Sequence, residues 1–157
     1  MIATETRQAI SDLYANYAYY IDADRLEEWL DFFTPDCVYK IIPRENAAAG
    51  LPLSVMLCEN RNMLRDRVVS LREANIYNLH VDRHFISGLR IEAPENGVYP
   101  VQANYAVYQT TAEGVSMLFS VGAYDDKVTF VNGVPRFKEK IVVIDTAAII
   151  NLLATPL

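Results

Sequence analysis

The sequence predicts an α+β fold, with helices in its first half followed by a long antiparallel run of strands. Three observations carry this. Apolar residues recur at three- to four-residue spacing through Ile10, Leu13, Tyr14, Tyr17 and Ile21, and again through Leu64, Val68 and Leu71, the period of helices with one buried face. From Asp82 onward, apolar or alternating runs of strand length succeed one another between turn residues. Asn132-Gly133 is the clearest hairpin signal, because both central positions of a type I′ turn need positive φ. Helices first and strands after them segregate into an α+β arrangement, here one strongly curved, mostly antiparallel mixed sheet around three N-terminal helices.

In chain order, Thr4 or Thr6 is expected to cap the first helix. Asp22-Ala23-Asp24 interrupts it, and Asp24 is a natural cap for a short second helix over 25–33, with Leu26, Trp29, Leu30 and Phe33 on one side. Thr34-Pro35-Asp36 ends that helix, and 37–43 (CVYKIIP) reads as the first strand. A loop over 44–52 and a possible short strand over 53–58 follow. Asn60 then caps a third helix reaching about Asn75. On its wheel Arg61, Arg65 and Arg72 fall within about 40° of one another at ~100° per residue, bordering the apolar stripe. Strands are expected over 84–93, 98–111, 115–124, 127–131 and 136–145, with hairpin loops at 95–97 and 112–114. No charge follows Asp145, so the apolar tail 147–157 is expected to dock. With no internal repeat and no linker, residues 1–157 read as one domain.

The bulk properties exclude some functions. A chain of 157 residues can bury a sizeable core without disulfides or metals. A net charge of −6 argues against a nucleic-acid binder. No apolar run approaches the ~20 residues that span a bilayer, and residues 1–6 have neither a basic region nor an apolar signal core, so a cytoplasmic location is expected. Cys37 and Cys58 have no metal or redox spacing and read as buried small hydrophobes. A hydrophobic share of 52% fits either a well-packed core or a second buried surface such as an oligomer interface, and the ten tyrosines lean toward the interface.

The chemical inventory is sparse. There is no Gly-rich phosphate loop, no Gly-x-Ser-x-Gly elbow, and no Cys-x-His or Cys-x-x-His pair to hold a Rieske cluster. His80, Asp82 and His84 would face one way on a strand, as in a two-histidine, one-carboxylate metal triad. Histidines hydrogen-bonded at a strand start or an interface are the preferred reading. Alternatively, His84 could work with Asp22, Asp31 or Asp36 across a conical pocket, Tyr14, Tyr17 or Tyr39 polarising a carbonyl, as in a dehydratase or isomerase. Within that alternative, His84, Asp36 and Tyr39 are the candidate catalytic residues. Arg61, Arg65, Arg67 and Arg72 alternate with Asp66 and Glu73, which intrahelical pairs explain. The functional counterpart is an interface in which guanidinium groups pair with a partner's carboxylates, extended by Arg83-His84 and by the tail to Leu157.

Leu13–Ile41 (LYANYAYYIDADRLEEWLDFFTPDCVYKI) resembles the first helices and strand of the NTF2-like cone. More narrowly, it is similar to the small (β) subunits of Rieske-type aromatic-ring-hydroxylating oxygenases. Met63–His84 (MLRDRVVSLREANIYNLHVDRH), a Leu-x-x-Arg-Val helix followed by Arg-His entering the sheet, is the most specific match, and Phe137–Ile149 (FKEKIVVIDTAAI) is similar as well. LREANIY and IPREN…GLPL look most like small subunits of monocyclic aromatic acid hydroxylases, of the salicylate, terephthalate or anthranilate kind. Ala74-Asn75-Ile76-Tyr77 stands where naphthalene and biphenyl dioxygenase small subunits are Trp-rich, which disfavours polycyclic substrates. The resemblance implies a structural subunit in an α3β3 hexamer. The large α subunit would carry the Rieske [2Fe–2S] cluster and the mononuclear iron, and a separate reductase would deliver electrons from NAD(P)H. It implies no catalytic, cofactor-binding or metal-binding residue in this chain.

Overall fold

The computed structural model describes residues 1–51, 53–73, 80–145 and 156–157. Helix α1 (Thr4–Asp22) buries Ile10, Leu13, Tyr14, Tyr17 and Ile21, the stripe that its spacing predicts. Its N-cap is Ala3 and no side chain caps it, so neither Thr4 nor Thr6 has the expected role. The second helical segment is split into α2 (Leu26–Trp29) and a 3-10 turn, Leu30–Phe32, and it buries Leu26, Trp29 and Leu30. Asp24 does not cap it. The residue takes φ 58 and Arg25 is the N-cap, while the Asp24 carboxylate turns to Arg72.

Strand β1 (Phe33–Pro43) begins four residues before the expected start, because Phe33 already pairs with Phe137. The expected loop over 44–52 contains a short helix, α3 (Arg44–Ala48), and strand β2 is confined to Met56–Cys58. Helix α4 (Arg61–Glu73) buries Leu64 and Val68. Its cap is as expected, with the Met63 amide donating to Asn60 Oδ1 at 2.9 Å. The predicted end of this helix near Asn75 lies outside the described residues.

Four long strands follow: β3 (His80–Ile91), β4 (Val98–Thr111), β5 (Ser116–Val131) and β6 (Val134–Ile144). The six-stranded sheet has the order β2-β1-β6-β5-β4-β3. Among the described residues β1 and β6 run parallel, and the other pairings are antiparallel. Asn132-Gly133 has φ 52 and 79, as a type I′ hairpin requires, and Asn96-Gly97 repeats the pattern with φ 51 and 77. The runs 115–124 and 127–131 join into the single strand β5, because Asp126 points inward instead of marking a turn. Register shifts near Ser87, Val107 and Lys127 bend the long strands, as bulges do, so the sheet curls around α1. Gly122 sits at a close approach of β5 and β6: a Cβ there would meet the Val143 carbonyl oxygen at 2.0 Å.

Candidate functional site

The concave side of the sheet closes over α1 on an aromatic box. Tyr14, Tyr17, Trp29, Phe33, Tyr39, Tyr124 and Phe137 are all buried. Most of their contacts are edge-to-face, such as Trp29 on Phe33 with centroids 4.8 Å apart, and Tyr105 stacks on Tyr124 at 4.8 Å.

Inside this box lies an ion pair. Lys140 Nζ donates to Asp126 Oδ2 at 2.7 Å, and neither side chain is exposed at all. Tyr14 OH donates to the same carboxylate oxygen, and the Ile141 amide donates to Asp126 Oδ1 at 3.0 Å. The ammonium also lies 3.0 Å from the ring centroid of Tyr124 and 4.7 Å from that of Tyr17. Burial pulls the Lys140 amine down to about 8, with the Asp126 charge working against that shift. Burial likewise raises Asp126, opposed by Lys140. The sequence reading missed this pair. The signal was parity: 124, 126 and 128 share one face of a strand, as do 140, 142 and 144.

A second polar contact joins the end of α1 to β3. His84 Nδ1 lies 2.6 Å from Asp22 Oδ1, and the His84 amide donates to Asp22 Oδ2 at 2.8 Å. His84 Nε2 is buried without a hydrogen-bond partner among the described residues. His84 is among the residues lining a cavity of about 410 Å³, with Ser11, Tyr14, Ala15, Ala18, Ile86 and Leu89, while its imidazole is 0% exposed. The dyad therefore acts as a clamp between helix and sheet, and no substrate reaches Nε2 in this conformation. Of the three carboxylates considered for His84, Asp22 is the partner. Asp36 is instead a surface residue beside Lys138, at 3.6 Å. Tyr39 is enclosed, donating to the Leu157 carbonyl at 3.2 Å and accepting from the Leu157 amide at 3.0 Å. The triad of His80, Asp82 and His84 does not form. Asp82 lies 3.6 Å from His80, His84 turns to Asp22, and no three His, Cys, Asp or Glu side chains cluster as metal ligands among the described residues.

The expected interface strip separates into inner and outer members. His84 and Leu157 are both buried within their own chain. Leu157 also receives a hydrogen bond from Tyr17 OH, while the rest of the apolar tail, 146–155, lies outside the described residues. Arg72 clamps α4 to the α1–α2 turn, with contacts of 2.8 Å to both Asp24 and Glu27. Its hydrogen bond holds the Glu27 carboxyl down at about 2. Arg61 donates to the Phe33 carbonyl at 3.1 Å, and Arg65 to Asn62 on its own helix at 2.9 Å. Arg83 stands apart on the outer face of β3. There it lines a depression of about 570 Å³ with Phe85, Ala106, Tyr108, Thr110 and Ser116.

A curved sheet closing over α1 and α2 is the architecture of SnoaL-like domains, and the model of that domain matches residues 3–140. The chain belongs to the SnoaL-like family. Within it, the anthranilate 1,2-dioxygenase small subunit of Burkholderia cepacia is 48% identical over 141 residues, 90% of this chain and 88% of that one. The terephthalate 1,2-dioxygenase terminal oxygenase component subunit beta 1 of a Comamonas species is 35% identical over 143 residues, covering 91% and 93% of the two chains. Among solved structures, a β subunit assigned to an aromatic-ring-hydroxylating dioxygenase of Novosphingobium aromaticivorans matches with a TM-score of 0.91 at 39% identity, covering 100% of both chains. This SnoaL-like chain thus belongs with the small subunits of aromatic dioxygenases, which are components of oxidoreductases. No helix among its described residues is long and apolar enough to cross a membrane.

Proposed function

We propose that this chain is the structural and assembly subunit of a Rieske non-haem iron oxygenase that hydroxylates a monocyclic aromatic acid in aromatic-compound breakdown. The observation that carries the reading is the near full-length match at 48% identity to a dioxygenase small subunit. Its partner is a large α subunit holding the Rieske [2Fe–2S] cluster and the mononuclear Fe(II), with electrons from NAD(P)H reaching it through a separate reductase. The small subunits associate as a trimer within an α3β3 particle in the cytoplasm. The two relatives named for their substrates act on anthranilate and terephthalate, both carboxylate-bearing single rings, which supports an aromatic acid of that size, salicylate included. Among the arginines, the exposed Arg83 is the best interface candidate, because Arg61, Arg65 and Arg72 already have acceptors in their own chain.

Co-expression with an aromatic-dioxygenase large subunit tests the reading. The two chains should elute as one iron-containing species, whereas this chain alone should be iron-free and self-associated. Turnover of a small carbonyl or alcohol substrate by the isolated chain would sink it.

A second reading, a stand-alone dehydratase or isomerase, draws on the His84–Asp22 pair. Against it stands the wholly enclosed imidazole. Under that reading His84→Gln abolishes turnover and leaves oligomeric mass unchanged.

A further inference from the structure

We propose that copies of this chain join head to tail, the outer face of β3–β4–β5 of one copy receiving the β2 edge of the next, with Arg83 paired to Glu59. This deepens the assembly reading above and rests on it.

The receiving face is a grid set by strand register. Val81 lies opposite Thr110, Arg83 opposite Tyr108, and Phe85 opposite Ala106; on the next strand Thr110, Tyr108 and Ala106 face Ser116, Leu118 and Val121. Arg83 is the one charge among these nine residues. Phe85, Tyr108, Leu118 and Val81 are between 42% and 59% exposed, and Phe85 meets Tyr108 edge-to-face at 5.6 Å. Exposed aromatic and apolar side chains around a single arginine are the composition of the centre of a protein interface, where other charges are depleted. A solvated face would instead carry mixed charges. Arg83 has no carboxylate partner within its own chain among the described residues, so the occupant must bring an anion set in apolar surroundings.

The chain itself carries such a surface at the other end of the sheet. Leu57 on β2, Met63 at the start of α4, and Leu51 and Leu53 before β2 are all exposed large hydrophobics. Glu59 stands among them, its amide 3.3 Å from Met63 Sδ, and its carboxylate has no ion-pair partner among the described residues. β2 and β3 are the two edge strands of the sheet, so the two patches lie at opposite ends of its strand order. A contact between unlike patches is heterologous, and it closes into a ring when the rotation between copies allows.

Charge exchange tests the pairing. Arg83→Glu or Glu59→Arg alone should weaken self-association by about 30-fold or more, read as loss of assembled mass in light scattering. The two changes in one chain should restore it. Both sites are exposed, and a variant that melts early is replaced by Arg83→Gln or Glu59→Gln. An independent arm mixes Arg83→Cys with Glu59→Cys chains under mild oxidation, where a disulfide-linked pair is expected only on mixing. Single variants that stay assembled, with no cross-link, would overturn the proposal. So would a wild-type chain that is monomeric alone yet joins the large subunit, which removes self-association but leaves the oxygenase small-subunit reading standing. A chain that does neither removes that reading too.

Discussion

His84 and Asp22 are joined twice, through the imidazole Nδ1 at 2.6 Å and through the backbone amide at 2.8 Å, and this double contact fixes the C-terminal end of α1 against β3. One carboxylate thus satisfies both a side-chain and a main-chain donor of a residue whose ring is out of water. An oriented histidine is a catalytic device only where its second nitrogen meets a substrate. Here that nitrogen is sealed, so the same arrangement serves the fold.

Replacing His84 by Ala leaves the Asp22 carboxylate short of its ring partner and should lower stability by roughly 1.5–3 kcal/mol, the range for a hydrogen bond to a charged group. Urea denaturation of the isolated chain checks this. Loss of oxygenase activity in the assembled complex should follow loss of folded chain, and a complex that stays intact while turnover vanishes would contradict the structural role.

Lys140→Ala should cost more. It strands Asp126 among aromatic rings with no counter-charge, and breaking a buried pair from one side costs about 3–5 kcal/mol. Lys140→Met combined with Asp126→Asn removes both charges and should recover much of that loss, measured as the shift in melting temperature.

The same lysine predicts a pH dependence. In the folded chain it releases its proton near 8, and in the unfolded chain near 10.5. Between those values the unfolded state holds more protons, so this group's contribution to stability rises with pH across that window and is lost as pH falls through 8. Denaturation midpoints from pH 7 to 10.5 should show this slope in the wild type and lack it in the doubly substituted chain.

Arg72→Ala should act weakly and locally. Its partners are more than 60% exposed, so removing the clamp should cost about 0.5–1 kcal/mol at low salt and less at high salt. Oligomeric mass should not change. Arg83→Glu should do the reverse, altering mass with little effect on melting, and the contrast separates an intrachain clamp from an interface arginine.

Gly122→Ala should destabilise the β5–β6 pairing. The new methyl has only 2.0 Å to the Val143 carbonyl, a backbone atom that cannot swing aside. A cost of about 1–3 kcal/mol is expected for such overpacking, seen as earlier thermal unfolding.

Several elements were legible because their signals are local. The α1 stripe, the Asn60 cap and the Asn132-Gly133 turn depend on residues within one or two turns of chain. Asp24 misled because an aspartate before an apolar run favours a cap, yet Arg72, 48 residues away, offers its carboxylate a stronger partner. Asp125-Asp126-Lys127 looked like a break between strands because adjacent charges usually mark solvent. Lys140, 14 residues on, is what allows Asp126 to turn inward instead.

By itself, the sequence determined the α+β class, the run of helices before strands and the absence of cluster-binding motifs, since periodicity, turn chemistry and ligand spacing are written in short segments; the family came from the resemblance of segments such as Leu13–Ile41 and Met63–His84. Only the tertiary structure decided which charges are inside and which are out. It put His84 with Asp22, sank Lys140 into a tyrosine box, and left Arg83 alone on an apolar face. Each of those outcomes depends on the curvature of the sheet, which brings residues distant in sequence within a few ångströms, and no local pattern encodes that distance.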